Sequence, residues 1–341
     1  MASFKQIIMN TKIKFIPFFF SFFLTVNSFS QNATLKKDFA HVSVVHSVST
    51  QGSESKNYEY PFSFNLFTGV VSSVKGVEIG GLFNENKQDM TGIQVAGLLN
   101  ITKNNMTGVQ YAGLTNITGP VNGLQMAGLN NIAQEVTGIQ SAGLANMATD
   151  VKGLQISGLY NQARKLKGFQ IGVINVVDSV EKGGTIGLIN IVKKNGYREV
   201  ELSATDYQNI GINYKSGTKT LYTILSAGYN FNKDKLLVAG LGIGGILAMS
   251  PKWYFKPEII VYNYTDNPFE VKKSANAYHF RFGFMRKIDK VGITVVPSVY
   301  YAQTDKNPEG GMLAINAIKP FSSNIKDAWG IGLGIGVALL K

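Results

Sequence analysis

The chain has 341 residues, a net charge of +12, 45% hydrophobic and only 16% charged residues, 37 glycines and no cysteine. The apolar fraction excludes a disordered chain, and the glycine content argues against a large helical protein. Without cysteine there is no disulfide framework, thiolate metal site or thiol nucleophile.

Lys5, Lys12 and Lys14 precede an apolar run over residues 15–26, and Ser28-Phe29-Ser30 places small residues ahead of Gln31. This reads as a secretory signal peptide, residues 1–30, cut near Ser30/Gln31, since a spanning helix needs roughly 20 apolar residues. No later segment is a continuous apolar helix, so membrane insertion would require a closed β-barrel. Residues 31–74 hold two strand-like stretches, 41–48 and 61–70. They are expected to pair with C-terminal strands and close the sheet.

Residues 75–195 are a repeat. Gly92-Ile93-Gln94-Val95-Ala96-Gly97-Leu98-Leu99-Asn100 recurs with leading glycines at 108, 123, 138 and 153. A weaker copy starts at Gly76, and two copies shortened by one residue start at Gly168 and Gly183. Units this short cannot fold alone, and stacking must bury their apolar face. As a β-solenoid, one coil per copy, Gln94, Gln110, Gln125, Gln140, Gln155 and Gln170 form an amide ladder. Asn100, Asn116, Asn131, Asn146 and Asn161 form a second. The alternative is an antiparallel meander, part of one continuous β-barrel. Identical strands lack the steady register shift that a tilted barrel needs, and the copies lack aromatic girdles, which favours the solenoid.

Residues 196–341 read as antiparallel barrel-type strands. Tyr278, Phe280, Phe282 and Phe284 alternate with His279, Arg281 and Gly283. Trp253, Phe255, Ile259 and Val261 alternate with Tyr254, Lys256 and Glu258. Trp329, Ile331, Leu333, Ile335 and Val337 alternate with glycines. One apolar face, one small or polar face, and aromatics near the ends fit an outer-membrane barrel.

No enzyme site emerges. Gly240-Leu241-Gly242-Ile243-Gly244-Gly245 matches a dinucleotide-binding glycine pattern, but it lies in a strand with no helix to receive a phosphate. His41 and His46 fall on opposite faces of one strand, the acids lack recurrent spacing, and no nucleophile elbow is present. Arg164, Lys165 and Lys167 offer a possible anion contact in the turns, to lipid phosphate or an acidic glycan. Nucleic acid is not an expected partner, and no cofactor is implied.

The repeat Gly-x-Gln-x-Ala-Gly-Leu-x-Asn resembles a bacterial surface-repeat family of exported Bacteroidota and spirochaete proteins. The stretches 187–197, 199–203, 215–218 and 222–225 are similar to that family's exit from its repeats, and Pro61 to Leu66 to the strand ahead of them. The resemblance covers about residues 40–230. It implies an exported or surface-exposed protein and brings no catalytic residues. The expectation is therefore all-β: stacked 15–16-residue repeats joined to outer-membrane barrel strands. The expected role is non-enzymatic, structural or binding, in a Gram-negative cell envelope, with membrane lipid and a glycan or envelope protein as partners. The alternative is an outer-membrane channel.

Overall fold

The computed structural model describes residues 35–309, 313, 315, 320–323 and 326–340; residues 1–30, which the sequence leads us to expect as a signal peptide, lie outside the described residues. Among these the regular structure is strand, apart from one 3₁₀ turn at Gly52–Asn57. It forms a nine-turn parallel solenoid followed by a closed eight-stranded antiparallel barrel.

Each repeat copy makes one coil with two arms, for example Met90–Ala96 and Leu99–Thr102. Each arm pairs in parallel with its own copy in the next coil, so Gly92 faces Gly108, Gln94 faces Gln110 and Asn100 faces Asn116. Two glycine positions make the coil possible. The leading glycine bends the arm at positive φ, +122° at Gly92, and a Cβ there would meet the Gly76 carbonyl oxygen at 2.0 Å. The corner glycine allows an equally close approach: a Cβ on Gly97 would lie 2.1 Å from the Gly81 oxygen. Only glycine accepts both demands.

The bend at Gly92 resets the alternation, because Thr91 and Ile93 on either side of it both point outward. It divides the coil interior into two halves. On the turn side, Met90, Met106, Val121, Val136, Val151, Leu166 and Val180 pack against Ala133, Ala148, Ala163, Val177 and Val192. On the Gly-Leu side the interior is polar: the Gln and Asn columns are buried, while Ile93, Leu114, Leu129, Leu144 and Leu159 stand 42–47% exposed. Burial of the apolar face, expected from the sequence, is thus reversed in this half. The asparagines must reach carbonyls across the tight corner, and the two-residue period of a strand then turns the aliphatic residues outward.

The N-terminal segment also departs from expectation. Ala40–Val45 pairs in parallel with Tyr58–Asn65, which pairs with Ser73–Gly80. Residues 36–74 therefore begin the solenoid and do not close the barrel. Their hydrophobic alternation is the same in either role, so spacing alone could not separate them. The short strand Val48–Ser49 folds back on the outer edge of Ala40–Val45, and Thr50 bonds both the Val42 amide and carbonyl. That hairpin covers an otherwise open sheet edge.

The barrel strands are Gly196–Thr205, Ile210–Thr218, Tyr222–Asn230, Leu236–Gly244, Trp253–Thr265 and Ser274–Ile288, followed by two interrupted strands. The seventh joins Val291–Val295 to Ser298–Lys306 across Pro297, and the eighth joins Asp327–Gly332 to Gly334–Leu340. Gly334–Leu340 pairs with the first strand, Leu202 opposite Val337, which closes the ring. The single continuous barrel weighed as an alternative is not the architecture, since the repeats stack in parallel outside this ring.

The outer wall is apolar: Leu202, Ile331 and Ile335 are 55–62% exposed, with Phe280, Phe282 and Val337 beside them. Aromatic rows mark its two ends, Trp253, Phe255 and Phe284 near one rim and Tyr278, Tyr301 and Trp329 near the other. The solenoid joins at the first of these rims. Asn195, at φ +62°, turns the chain into the barrel. The last coil lies against the wall: Thr218 Oγ1 donates to Gly183 O at 3.2 Å and Thr223 Oγ1 to Gly187 O at 2.8 Å.

Candidate functional site

The structure brings the predicted amide columns together inside the solenoid. Each Gln Nε2 from Gln110 to Gln170 donates to Oε1 of the copy before it at 2.6–2.8 Å. The column begins on Glu78, whose Oε2 accepts from Gln94 at 2.7 Å. It ends at Gln170, whose Oε1 has no partner because Thr185 comes next in register. Burial pushes the Glu78 carboxyl up to about 7, against hydrogen bonds from Gln94 and Ser63 that hold it down.

The asparagine column runs in the opposite sense. Each Nδ2 donates to the next Oδ1 at 2.9–3.0 Å, from Asn84 through Asn100, Asn116, Asn131, Asn146, Asn161 and Asn175 to Asn190. The same nitrogen bonds a carbonyl across the corner, as from Asn100 to Tyr111 O and from Asn131 to Ser141 O at 2.6 Å. Asn65 heads the column, donating to Asn84 Oδ1 at 2.8 Å, and Asn190 at its end finds no further amide and donates to Thr223 Oγ1 of the barrel. The shortened copies keep this register, with Asn161, Asn175 and Asn190 in one column and a bulge at Leu166/Lys167 absorbing the offset. Every residue of both columns is buried, so their hydrogen bonds serve the stack and present nothing to solvent.

The barrel interior holds a second polar assembly that the sequence reading did not single out. Lys215 Nζ lies 3.1 Å from Glu199, 2.9 Å from Glu201 and 2.7 Å from Glu258. Lys256 lies 2.6 Å from Glu199, and Arg281 lies 3.4 Å from Glu201 and 3.5 Å from Glu258. Three cations and three carboxylates balance, and each is almost wholly buried. Tyr197 and Tyr222 donate their hydroxyls to Glu199 and Glu258. Toward the far rim the filling turns aromatic, with His279 packed among Tyr207, Tyr262 and Tyr300 at ring distances of 4.1–5.3 Å.

The glycine faces of two strands make room for this filling. A Cβ on Gly240 would lie 2.6 Å from the Tyr262 ring, and one on Gly330 2.4 Å from the Tyr300 hydroxyl. The glycine pattern at 240–245 is therefore floor for aromatic side chains. The visible signal for the cluster was the charged alternate face, Lys256, Glu258 and Arg281, on strands whose other face is apolar.

The basic residues of the turns separate. Arg164 Nη2 sits 2.9 Å from Asp150 Oδ1, which occupies it locally. Lys165 and Lys167 are exposed. Lys167 stands in register between Lys152 and Lys182, giving a lysine column along the coils. Among the described residues, no carboxylate lies within 4.0 Å of these three lysines. Nor, among the described residues, do three His, Asp or Glu side chains gather as metal ligands.

Fold and interior define a class by geometry: a polar-cored β-solenoid built onto the wall of a filled eight-stranded barrel. No protein-family model, curated protein or solved structure matches the chain.

Proposed function

We propose that this chain is an exported, non-enzymatic outer-membrane protein of a Gram-negative envelope, in which the barrel is an anchor and the solenoid a structural or binding arm. It is further proposed to belong with the surface-repeat proteins that its motif resembles. The observation that carries the reading is the inversion of the barrel: an apolar outer wall with aromatic rows at both ends, around a neutralised ionic interior. A soluble barrel would gain by the opposite arrangement, because apolar area left in water forfeits about 25 cal/mol per Å². Eight strands give an interior that side chains fill, and here Lys215, Lys256 and Arg281 with three glutamates occupy it. That filling supports anchoring over conduction.

Fractionation of native membranes tests the reading. The chain is expected to resist high-salt and urea washes and to leave only with detergent; release by urea would overturn it. Planar-bilayer recordings of the folded protein are expected to stay silent, and reproducible unitary steps would restore the channel alternative.

A further inference from the structure

The solenoid shares the barrel's inversion along one edge only. In the Gly-Leu half of the coils that carry both columns, amides are inside and aliphatic side chains outside; in the turn half the interior is mainly aliphatic, and turn residues such as Glu135 stand outside. A repeat built for water has no reason to expose a leucine column at about 42% while burying glutamines beneath it. Each leucine left in water forgoes part of the free energy that its burial would supply.

The exposed edge also has a definite place beside the barrel. Thr223, between the inward-facing Tyr222 and Ile224, points out of the wall and bonds the Gly187 carbonyl at the last Gly-Leu corner. The turn end of the same coil, at Lys194 and Asn195, meets the rim where the first strand begins. The Gly-Leu corner therefore lies below the rim, level with the apolar wall, and the turn corner lies at the rim.

Charge follows the same division. The column of Lys152, Lys167 and Lys182 borders the apolar edge on its turn side, and Lys219, Lys252 and Lys287 are exposed at the barrel rim the solenoid joins. Neighbouring coils are about 4.8 Å apart, so stacked lysines repel one another unless anions sit between them.

We infer that the solenoid is itself half-immersed: its Gly-Leu edge sinks into the acyl chains of the leaflet at the joining rim, and its lysine column meets the lipid phosphates above. This rests on the membrane reading of the barrel. In lipid every backbone group needs an internal partner. Coil stacking supplies those partners, the Val48–Ser49 hairpin covers one end, and the barrel wall covers the other.

The absence of cysteine makes the test direct. Single variants Leu144→Cys, Glu135→Cys and Phe282→Cys of the full chain are labelled with an environment-sensitive fluorophore. They are then reconstituted into vesicles of phosphatidylethanolamine and phosphatidylglycerol with brominated acyl chains. Positions 144 (edge) and 282 (barrel wall) are expected to be quenched to a similar extent, and position 135 (turn corner) not at all. Quenching at 282 with none at 144 overturns the inference, whether water or another protein then covers the edge. No quenching at 282 defeats the anchoring reading first, and the inference with it.

Discussion

The solenoid and the barrel both enclose polar groups, but by different physics. The solenoid uses neutral amides, each bonded to its own copy one coil away, so the stabilisation repeats with the coil and is nearly additive. The barrel uses six charges from four strands joined in one network, where no pair can be removed without stranding another. Buried ion pairs of this kind add little net stability, because desolvation offsets their attraction; their effect is to penalise any register that fails to bring them together. One region is extensible and the other is all-or-none.

Deletions probe that difference most strongly. Removing residues 138–152 takes out one whole coil and leaves Gly123 facing Gly153, so the protein is expected to fold. Removing residues 253–265 takes out one barrel strand and reverses the sense of the next, and assembly is expected to fail. Heat-modifiable mobility on gels, which reports an intact barrel, separates the two; equal loss from both deletions would break the comparison.

Next in size, Lys215→Met leaves Glu201 and Glu258 each short of its closest cation and is expected to cost about 3–5 kcal/mol in denaturant unfolding in detergent micelles. At the head of the amide column, Glu78 places a carboxyl where the repeat has glutamine. Its carboxyl is raised from the usual 4.5 to about 7, so the neutral acid is the form the fold favours. That contribution is fully present below about pH 4.5 and is lost as pH rises through 7. Glu78→Gln is expected to remove this contribution to the slope and to stabilise the solenoid by roughly 3 kcal/mol above pH 8, read as a higher melting temperature at alkaline pH and little change below about pH 4.5.

The smallest expected difference lies within the column, between two of its own members. Gln125→Leu strands Gln110 Oε1 and Gln140 Nε2 together, at roughly 1–3 kcal/mol each. Gln170→Leu strands only the Oε1 of Gln155 and should cost about half as much. Equal melting shifts for the two would argue against a directional ladder.

Much of the fold is legible in the residues. The 15- and 16-residue spacing of Gly92, Gly108, Gly123, Gly138 and Gly153 sets the coil. The absence of any progressive register shift selects a parallel stack, and identical amides at identical places become ladders. The C-terminal alternation of Phe280, Phe282 and Phe284 with His279 and Arg281 marks wall and lumen. The basic turn was legible only as composition: Arg164 is held by Asp150, and the unpaired column runs through Lys152 and Lys182 on neighbouring coils. Residues 41–48 and 61–70 could have served either sheet.

The sequence by itself determined the repeat, the strand period and the two-faced character of every segment, because these depend on local spacing and on side-chain alternation along one strand. In the solenoid, tertiary structure alone decided which face is inside, and in the barrel it decided which lumen groups meet. A strand pattern is symmetric to inversion, and the choice was made by contacts far apart in the chain. Asn100 reaches the Tyr111 carbonyl in the next coil, Asn190 reaches Thr223 across the junction, and Lys215 meets glutamates from two other strands.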